Sequence, residues 1–381
     1  MNTASAIVRL FFDINVLLVL GVLLGWLADG VLARTGWGQA YALRLRLWRW
    51  GFFVAVIASP VVALIRHVGA GTANVFGASV NLSDFLVAQY LQGSIRIDPF
   101  TFENLLGFQG AMLDRVTNPV TVLDHILILG FVLGVAVLSL RLVLSALRLR
   151  RVLGDTHVWR RIGPVDLRLS DTIKIPFSTR GLRRRHVVLP LGMLARQDDL
   201  TMAVAHEFQH LRQRDVEWEF GFEALRPLLF WNPAFHLWKR KIEELRELAC
   251  DHRILARRRL DAAAYVQCLL RVCDDSLAPR RLWAVSMPVV GLLQGWPARM
   301  ARGHGVMFRR RLEAVVACAP QRPVPKVLIM LLIPLPALTL MAALSIQQSA
   351  DWTQDRLMLS TILNLERMST INMAAPSLIT P

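Results

Sequence analysis

Long apolar runs alternate with arginine-rich stretches along this chain, and the apolar runs define its first elements. A bilayer core of about 30 Å calls for roughly 20 mostly apolar residues in a helix. Four stretches meet or approach that length: 10–27, 50–65, 120–140 and 327–345. The second is short, but Arg49 and Arg66 at its ends can snorkel toward headgroups. Pro60, Pro334 and Pro336 fall inside spans, where neighbouring helices can satisfy the freed carbonyls. Soluble core helices rarely run this long without a polar face, so the four stretches predict transmembrane helices. The first carries Asp13 near its start and is followed by no small-residue cleavage site, which argues against a removed signal peptide. Asp13, Asp124 and His125 near span ends read as hydrated interfacial contacts.

The expected fold is mainly α: a polytopic membrane protein with four spans and one soluble domain containing a small β element near 165–190. Its parts are two N-terminal transmembrane helices with a short basic loop (1–65), an outward loop (66–119), a third span (120–144), the soluble domain (145–326), a fourth span (327–345) and a short tail (346–381). A hydrophobic share of 54% exceeds the usual soluble composition of about 45–50% and agrees with that plan.

Charge gives the plan a direction. The net charge is +16, and residues 145–326 hold 33 Lys and Arg against 18 Asp and Glu. The loop 34–49 adds four arginines and no acid, whereas 66–120 carries three arginines and four acids. Cytoplasmic loops of membrane proteins are enriched in Lys and Arg, so 34–49 and 145–326 are expected inside, with 66–119 and the tail outside. The basic clusters 257–259 and 309–311 then read as solvated or lipid-facing, and direct nucleic-acid binding is not expected. Cys250, Cys268, Cys273 and Cys318 fit no zinc-knuckle spacing and suit a reducing compartment.

The strongest local chemistry is His206-Glu207-Phe208-Gln209-His210, preceded by good helix formers. On a helix, residues four apart share a face, so both imidazoles point one way and can ligate a single zinc. Glu207 adjoins the first ligand and can reach a water on the metal, whose pKa zinc lowers toward about 7. The glutamate can take that proton and later deliver it to a leaving amine. The plain alternative is a surface helix with polar residues. About forty residues on, 241–252 reads as a second helix, with Leu245, Leu248 and Ala249 on its packing face and Glu243, Glu247 and Asp251 at four-residue intervals. A tetrahedral catalytic zinc needs a third protein ligand and an open position. Glu247 could be that ligand, and Asp251 could hold the far nitrogen of a ligating histidine. Glutamates in such a helix otherwise form solvated pairs such as Glu243–Arg246. Residues 186–190, HVVLP, read as a short strand: an edge that receives an extended substrate, or a plain hairpin strand. His236 and His252 are further candidates for polarising a carbonyl, with no local pattern to support either.

The combination of HEFQHLRQRD at 206–215, FWNP at 230–233 and Glu247-x-x-Cys250-Asp251 resembles the BlaR/MecR-type membrane metallopeptidases. LSDTIKIPFSTRG at 169–181 and HVVLP extend the likeness, which covers roughly 120–260 well and the span arrangement loosely. The resemblance implies a gluzincin-like enzyme of the bacterial plasma membrane with one catalytic zinc held by His206, His210 and Glu247, and with Glu207 as acid/base. It also implies regulated, site-specific cleavage of a protein substrate, either a transcriptional repressor or the chain itself. Self-cleavage is expected in the Gly- and Arg-rich stretch 302–312, read as open. The best-known members carry a large penicillin-binding domain after the fourth span. Here about 37 residues follow it, with no Ser-x-x-Lys motif, so β-lactam sensing is not expected. Two other readings stand beside this one: a housekeeping membrane protease of the CaaX-processing or heat-shock type, and a signalling scaffold with a structural zinc, which would not need Glu207.

Overall fold

The computed structural model describes residues 3–69, 82–95, 97–181, 183–258, 261–276, 290–291 and 301–317, together with 337–339, 341–343, 361, 364–365 and 368. Three helices in this set are long and apolar enough to cross a membrane: α1 (Thr3–Arg34), α2 (Tyr41–Gly69) and α5 (Val122–Gly154). They coincide with the first three expected spans. Most of the fourth, 327–345, lies outside the described residues, as do most of the tail, residues 70–81 of the outward loop, and Cys318. Alpha5 carries apolar residues all round, with Leu123, Ile126, Leu129 and Leu133 exposed, as a lipid-facing helix requires.

The chain divides into two compact units. One comprises Met1–Leu24, Trp50–Leu129 and Met330–Pro381. Within it, α3 (Leu82–Leu91) and α4 (Pro99–Thr117) meet through Tyr90 and Phe102, whose rings stack at 4.2 Å. Asp98 caps α4 by accepting from the Thr101 N–H, and Pro99 occupies the first turn, where its missing N–H costs nothing.

The other unit comprises Gly25–Arg49 and Gly130–Ile329. Its small sheet contains β1 (His157–Ile162), β2 (Val165–Ser170), β3 (Phe177–Arg180), β4 (Arg185–Pro190) and β5 (Val290–Gly291), in the order β1-β2-β4-β3-β5. Among the described strands, only β2 and β4 pair in parallel. Gly163 takes a left-handed φ of +56° in the tight turn joining β1 to β2, a conformation that glycine adopts without a Cβ penalty. Strand β1 lies at one edge, exposed throughout, with Arg160 and Arg161 discouraging further pairing.

Strand β4 corrects an expectation. It is bonded to β2 on one side and to β3 on the other, so 186–190 is an interior strand and cannot receive a peptide by edge addition. The physical reason is its composition. Val187, Val188 and Leu189 are β-branched or apolar and almost fully buried, as strands covered on both faces are.

Helices cover the sheet. Alpha6 (Gln197–Arg212), α7 (Asp215–Leu229), α8 (Pro233–Arg258), α9 (Ala262–Ser276) and α10 (Ala301–Val316) follow in order. The core joins Val165, Leu167, Val187 and Leu189 of the sheet to Leu200 and Ala203 of α6, Tyr265 and Leu269 of α9, and Val315 of α10. Asn232 caps α8 by accepting from the Ala234 N–H at 2.8 Å, with Pro233 in the first position, which explains the Asn-Pro pair in FWNP. On α8, Leu245, Leu248 and Ala249 are buried as expected. A second expectation is overturned here. The stretch 302–312 is not open chain but lies within α10, and its Arg311 is buried.

Candidate active site

Helix α6 packs against β3, β4, α8 and α9, and its inward face is unusually polar: His206, Glu207 and His210 are all fully buried. Their spacing over one turn puts the two imidazoles edge to face, with Nε2 to Nε2 at 2.9 Å. Burying such a face is costly unless each group finds a partner, and most of them do.

His210 Nδ1 lies 2.6 Å from Asp215 Oδ2. Asp215 starts α7 directly after Arg214, the one non-glycine residue with a left-handed φ (+57°) among the described residues. That conformation costs roughly 1–2 kcal/mol for an L-residue, and it turns the chain so that the next carboxylate meets the imidazole. His206 Nδ1 lies 2.9 Å from the Tyr265 hydroxyl, which donates to Asp251 Oδ1 at 2.8 Å. With the tyrosine proton committed to Asp251, His206 holds its own proton on Nδ1 and leaves the Nε2 lone pair facing the cleft. Asp251 therefore backs His206 chiefly through Tyr265; its direct approach to Nδ1 is 3.4 Å.

Of the three glutamates in the middle of α8, Glu247 faces the histidines. Its Oε2 is 3.6 Å from His206 Nε2 and its Oε1 is 3.8 Å from His210 Nε2. Glu243 pairs with Lys239, and Glu244 pairs with Arg310 and Lys241. Two arginines hold the Glu247 carboxylate: Arg246 Nε at 3.3 Å and Arg311 Nη1 at 3.1 Å. Arg311 also grips Asp251 with two bonds of 2.8 Å. Arg309 and Arg310 project to solvent as expected of a basic cluster, but Arg311 is an internal ion-pair partner.

The electrostatics follow from burial and these neighbours. Burial lifts the Glu207 carboxyl to about 7, with His210 and the nearby Ser178 hydroxyl of β3 pulling the other way. Neither Glu207 oxygen has a hydrogen-bond partner of good geometry. Burial also opposes ionisation of Glu247, but Arg311 and His210 outweigh it and hold that carboxyl far below its ordinary range. Burial and the neighbouring His210 push His206 down. His210 is raised: burial disfavours its charge, and Glu247 and Asp215 more than offset that.

Two donor sets surround the histidine pair. One adds Glu247, on the Nε2 side. The other adds Cys250, whose sulfur, with donor atoms of His206 and His210, forms a group within 4.8 Å. The Cys250 sulfur lies 3.6 Å from His206 Nδ1, the nitrogen already engaged by Tyr265, and it donates to the His206 carbonyl at 3.5 Å. Burial, then Asp251 and Glu247, push its thiol well above the usual range, which disfavours the thiolate a metal needs. Two imidazole nitrogens and a carboxylate converging on one buried spot form a donor set that zinc accepts.

Comparison with protein families matches residues 10–287 to the model described as BlaR1 peptidase M56. The chain belongs to that family. A comparison with curated proteins found no match. Membership makes the chain a membrane-associated peptidase of a metallopeptidase family, and the candidate metal cluster lies within the matched region.

Within this peptidase, sequence reasoning missed Asp215, Tyr265, Arg49 and Arg311. Asp215 had a signal, a carboxylate five residues after the second histidine in HEFQHLRQRD. The others arrive from helices far away in sequence. His236 and His252 stay apart from the pair: His236 bonds the Phe230 carbonyl at 2.7 Å, and His252 packs edge-on to Tyr41.

Proposed function

We propose that this chain is a zinc metalloendopeptidase that cuts protein substrates on the cytoplasmic face of the membrane. His206, His210 and Glu247 are its metal ligands, and Glu207 is its general acid/base. The observation that carries the reading is the condition of Glu207. It is a buried carboxyl without a good hydrogen bond, next in sequence to one histidine of a converging pair, with its pKa lifted to about 7. A carboxylate needed only for structure would be paired, whereas a base works best with a pKa near the operating pH. When bound, zinc supplies Lewis-acid polarisation of the scissile carbonyl and a water acidic enough to react near neutral pH. Glu207 takes the proton released on attack and returns it to the departing amine. Asp215 and the Tyr265–Asp251 pair keep each imidazole in the tautomer whose Nε2 lone pair faces the cleft.

Strand β3 carries Ser178 beside Glu207 and is the nearest backbone for an extended substrate. Its outer edge pairs with β5 at Phe177 and Ser178, so an incoming peptide adds beyond that pair or displaces it. The cytoplasmic orientation rests on the arginine excess of 34–49 and 145–326. Regulated, site-specific cleavage of a repressor or of the chain itself is the role that family membership favours.

The test is Glu207→Gln in native membranes. The variant should keep its metal and lose cleavage by roughly 10²–10⁴-fold, and it should trap substrate. A few reproducible trapped proteins support signalling; a broad set of membrane proteins supports the housekeeping alternative. Cleavage at the wild-type rate would end the proposed mechanism.

A further inference from the structure

Arg49 lies in α2, at the boundary where an apolar helical segment begins, and the ordinary expectation for such an arginine is to snorkel into headgroups. In the structure it is 7% exposed and its guanidinium points into the peptidase unit. Nη2 bonds Asp215 Oδ1, and Nη1 donates to the Gln213 carbonyl at 3.1 Å. The guanidinium carbon sits 5.5 Å from the centre of the Trp218 ring. All three contacts fall on the α6–α7 turn and the first turn of α7, on either side of left-handed Arg214. The neighbouring Trp48 fixes the helix, meeting Trp238 of α8 edge-on at 4.8 Å, and Arg44 holds Asp29 through two bonds of 2.7 and 2.8 Å. A buried guanidinium is expensive unless compensated; Nη1 and Nη2 are bonded here while the buried Nε has no hydrogen-bond partner, so moving this helix away would strand the rest of the charge.

We propose that Arg49 is a positioning residue of the metal centre: it fixes the strained α6–α7 turn and the Asp215 carboxylate, and through them the orientation of His210. The inference rests on the zinc reading above. It means that the site is completed by a side chain from the first part of α2, which belongs to the same compact unit as the site, so the seat of Tyr41–Arg49 sets how tightly the metal is held. Hydrogen-bonded carboxylates behind ligating histidines commonly contribute 10–100-fold in affinity. A lysine would keep the charge but cannot reproduce the forked contact to carboxylate and carbonyl.

The experiment measures zinc affinity of the full chain in nanodiscs by chelator competition, alongside the visible spectrum of the cobalt-substituted protein. Arg49→Gln should weaken zinc by roughly 10–100-fold and change the cobalt spectrum. Arg49→Lys should recover only part of the loss. Arg46→Gln, at an exposed position on the same helix, should behave as wild type. In the double variant Arg49→Gln/Asp215→Asn, the loss of zinc affinity should be clearly smaller than the two single losses combined, because much of the effect of Arg49 runs through that carboxylate. Wild-type affinity and spectrum in Arg49→Gln, or additive losses in the double variant, overturn the inference. If Arg49→Gln does not fold, Arg49→Lys decides alone, and wild-type zinc affinity in it is likewise fatal. His206→Ala separates the two levels: zinc retained there removes the zinc reading itself, whereas zinc lost there but unchanged in the Arg49 variants removes only the role of Arg49.

Discussion

Arg311 of α10 lies 3.1 Å from Glu247 of α8, and the same guanidinium holds Asp251 one turn further on. One buried cation therefore neutralises two of the carboxylates gathered around the histidine pair. Without it, Glu247 and Asp251 would face each other's charge in a water-poor interior. Removing one partner of a buried ion-pair network typically costs about 3–5 kcal/mol. Arg311→Gln should accordingly lower the thermal midpoint by many degrees and weaken metal binding, and Arg311→Lys should restore part of the stability. Wild-type melting in Arg311→Gln would mean that the pair contributes little.

Tyr265 gives a finer test because Phe keeps its shape. Tyr265→Phe removes the hydroxyl that links His206 Nδ1 to Asp251. The lost hydrogen bonds should cost roughly 1–3 kcal/mol of stability. The histidine should lose its fixed tautomer and bind metal about 10-fold less tightly. Calorimetric unfolding and chelator competition on one preparation check both numbers. A stability loss with unchanged metal affinity would make Tyr265 a core residue only.

The contrast between these residues and the histidines shows what the sequence could carry. His206 and His210 share a face by helix geometry alone, as do Glu247 and Asp251, and Glu207 follows directly after the first histidine, so local spacing reveals them. Arg49 and Arg311 come from the edge of an apolar run and from a triple-arginine cluster, and both patterns ordinarily mean snorkelling or solvation. Their roles arise only when distant helices meet. The same holds for β4, whose interior place depends on the parallel pairing with β2 and on β3 folding against its other edge. Gly303 and Gly305 made 302–312 read as open chain. Each glycine costs a helix about 1 kcal/mol, and burial of Val315 with partly buried Phe308 and Leu312 against the core offsets that.

Acid should weaken the fold through Asp199, in the first turn of the zinc-motif helix α6. Arg271 binds its carboxylate through two bonds, of 2.9 and 2.5 Å. That hydrogen bonding lowers the folded-state pKa below the ordinary 3.8, burial opposing it. Because the folded value is the depressed one, the contribution is fully present above the unfolded pKa and is lost as pH falls through the folded value. The gap in thermal midpoint between wild type and Asp199→Asn should thus be constant from pH 7 to about 5 and close below about pH 4. A gap that does not narrow at all as pH is lowered below about 4 would show that the carboxylate's charge is not what stabilises α6.

The last prediction separates the two donor sets around the histidines. A distance criterion alone admits Cys250 beside His206 and His210. Direction argues otherwise. The sulfur lies against His206 Nδ1, on the side where Tyr265 already takes the proton, whereas Glu247 approaches both Nε2 atoms. Charge points the same way, since Arg311 and His210 stabilise an ionised Glu247 while the surrounding carboxylates oppose a Cys250 thiolate. Glu247→Ala should therefore strip most of the zinc. Cys250→Ser should keep zinc near one equivalent per chain, and Glu244→Ala should do the same, because Glu244 only pairs with Arg310 and Lys241 at the helix surface. Metal content by mass spectrometry decides, with the cobalt-substituted protein as a second readout: thiolate ligation gives an intense sulfur-to-cobalt band in the near ultraviolet, and a nitrogen and oxygen set does not. Zinc lost from Cys250→Ser but kept in Glu247→Ala, together with that band in the wild type, would replace Glu247 by Cys250 as the third ligand.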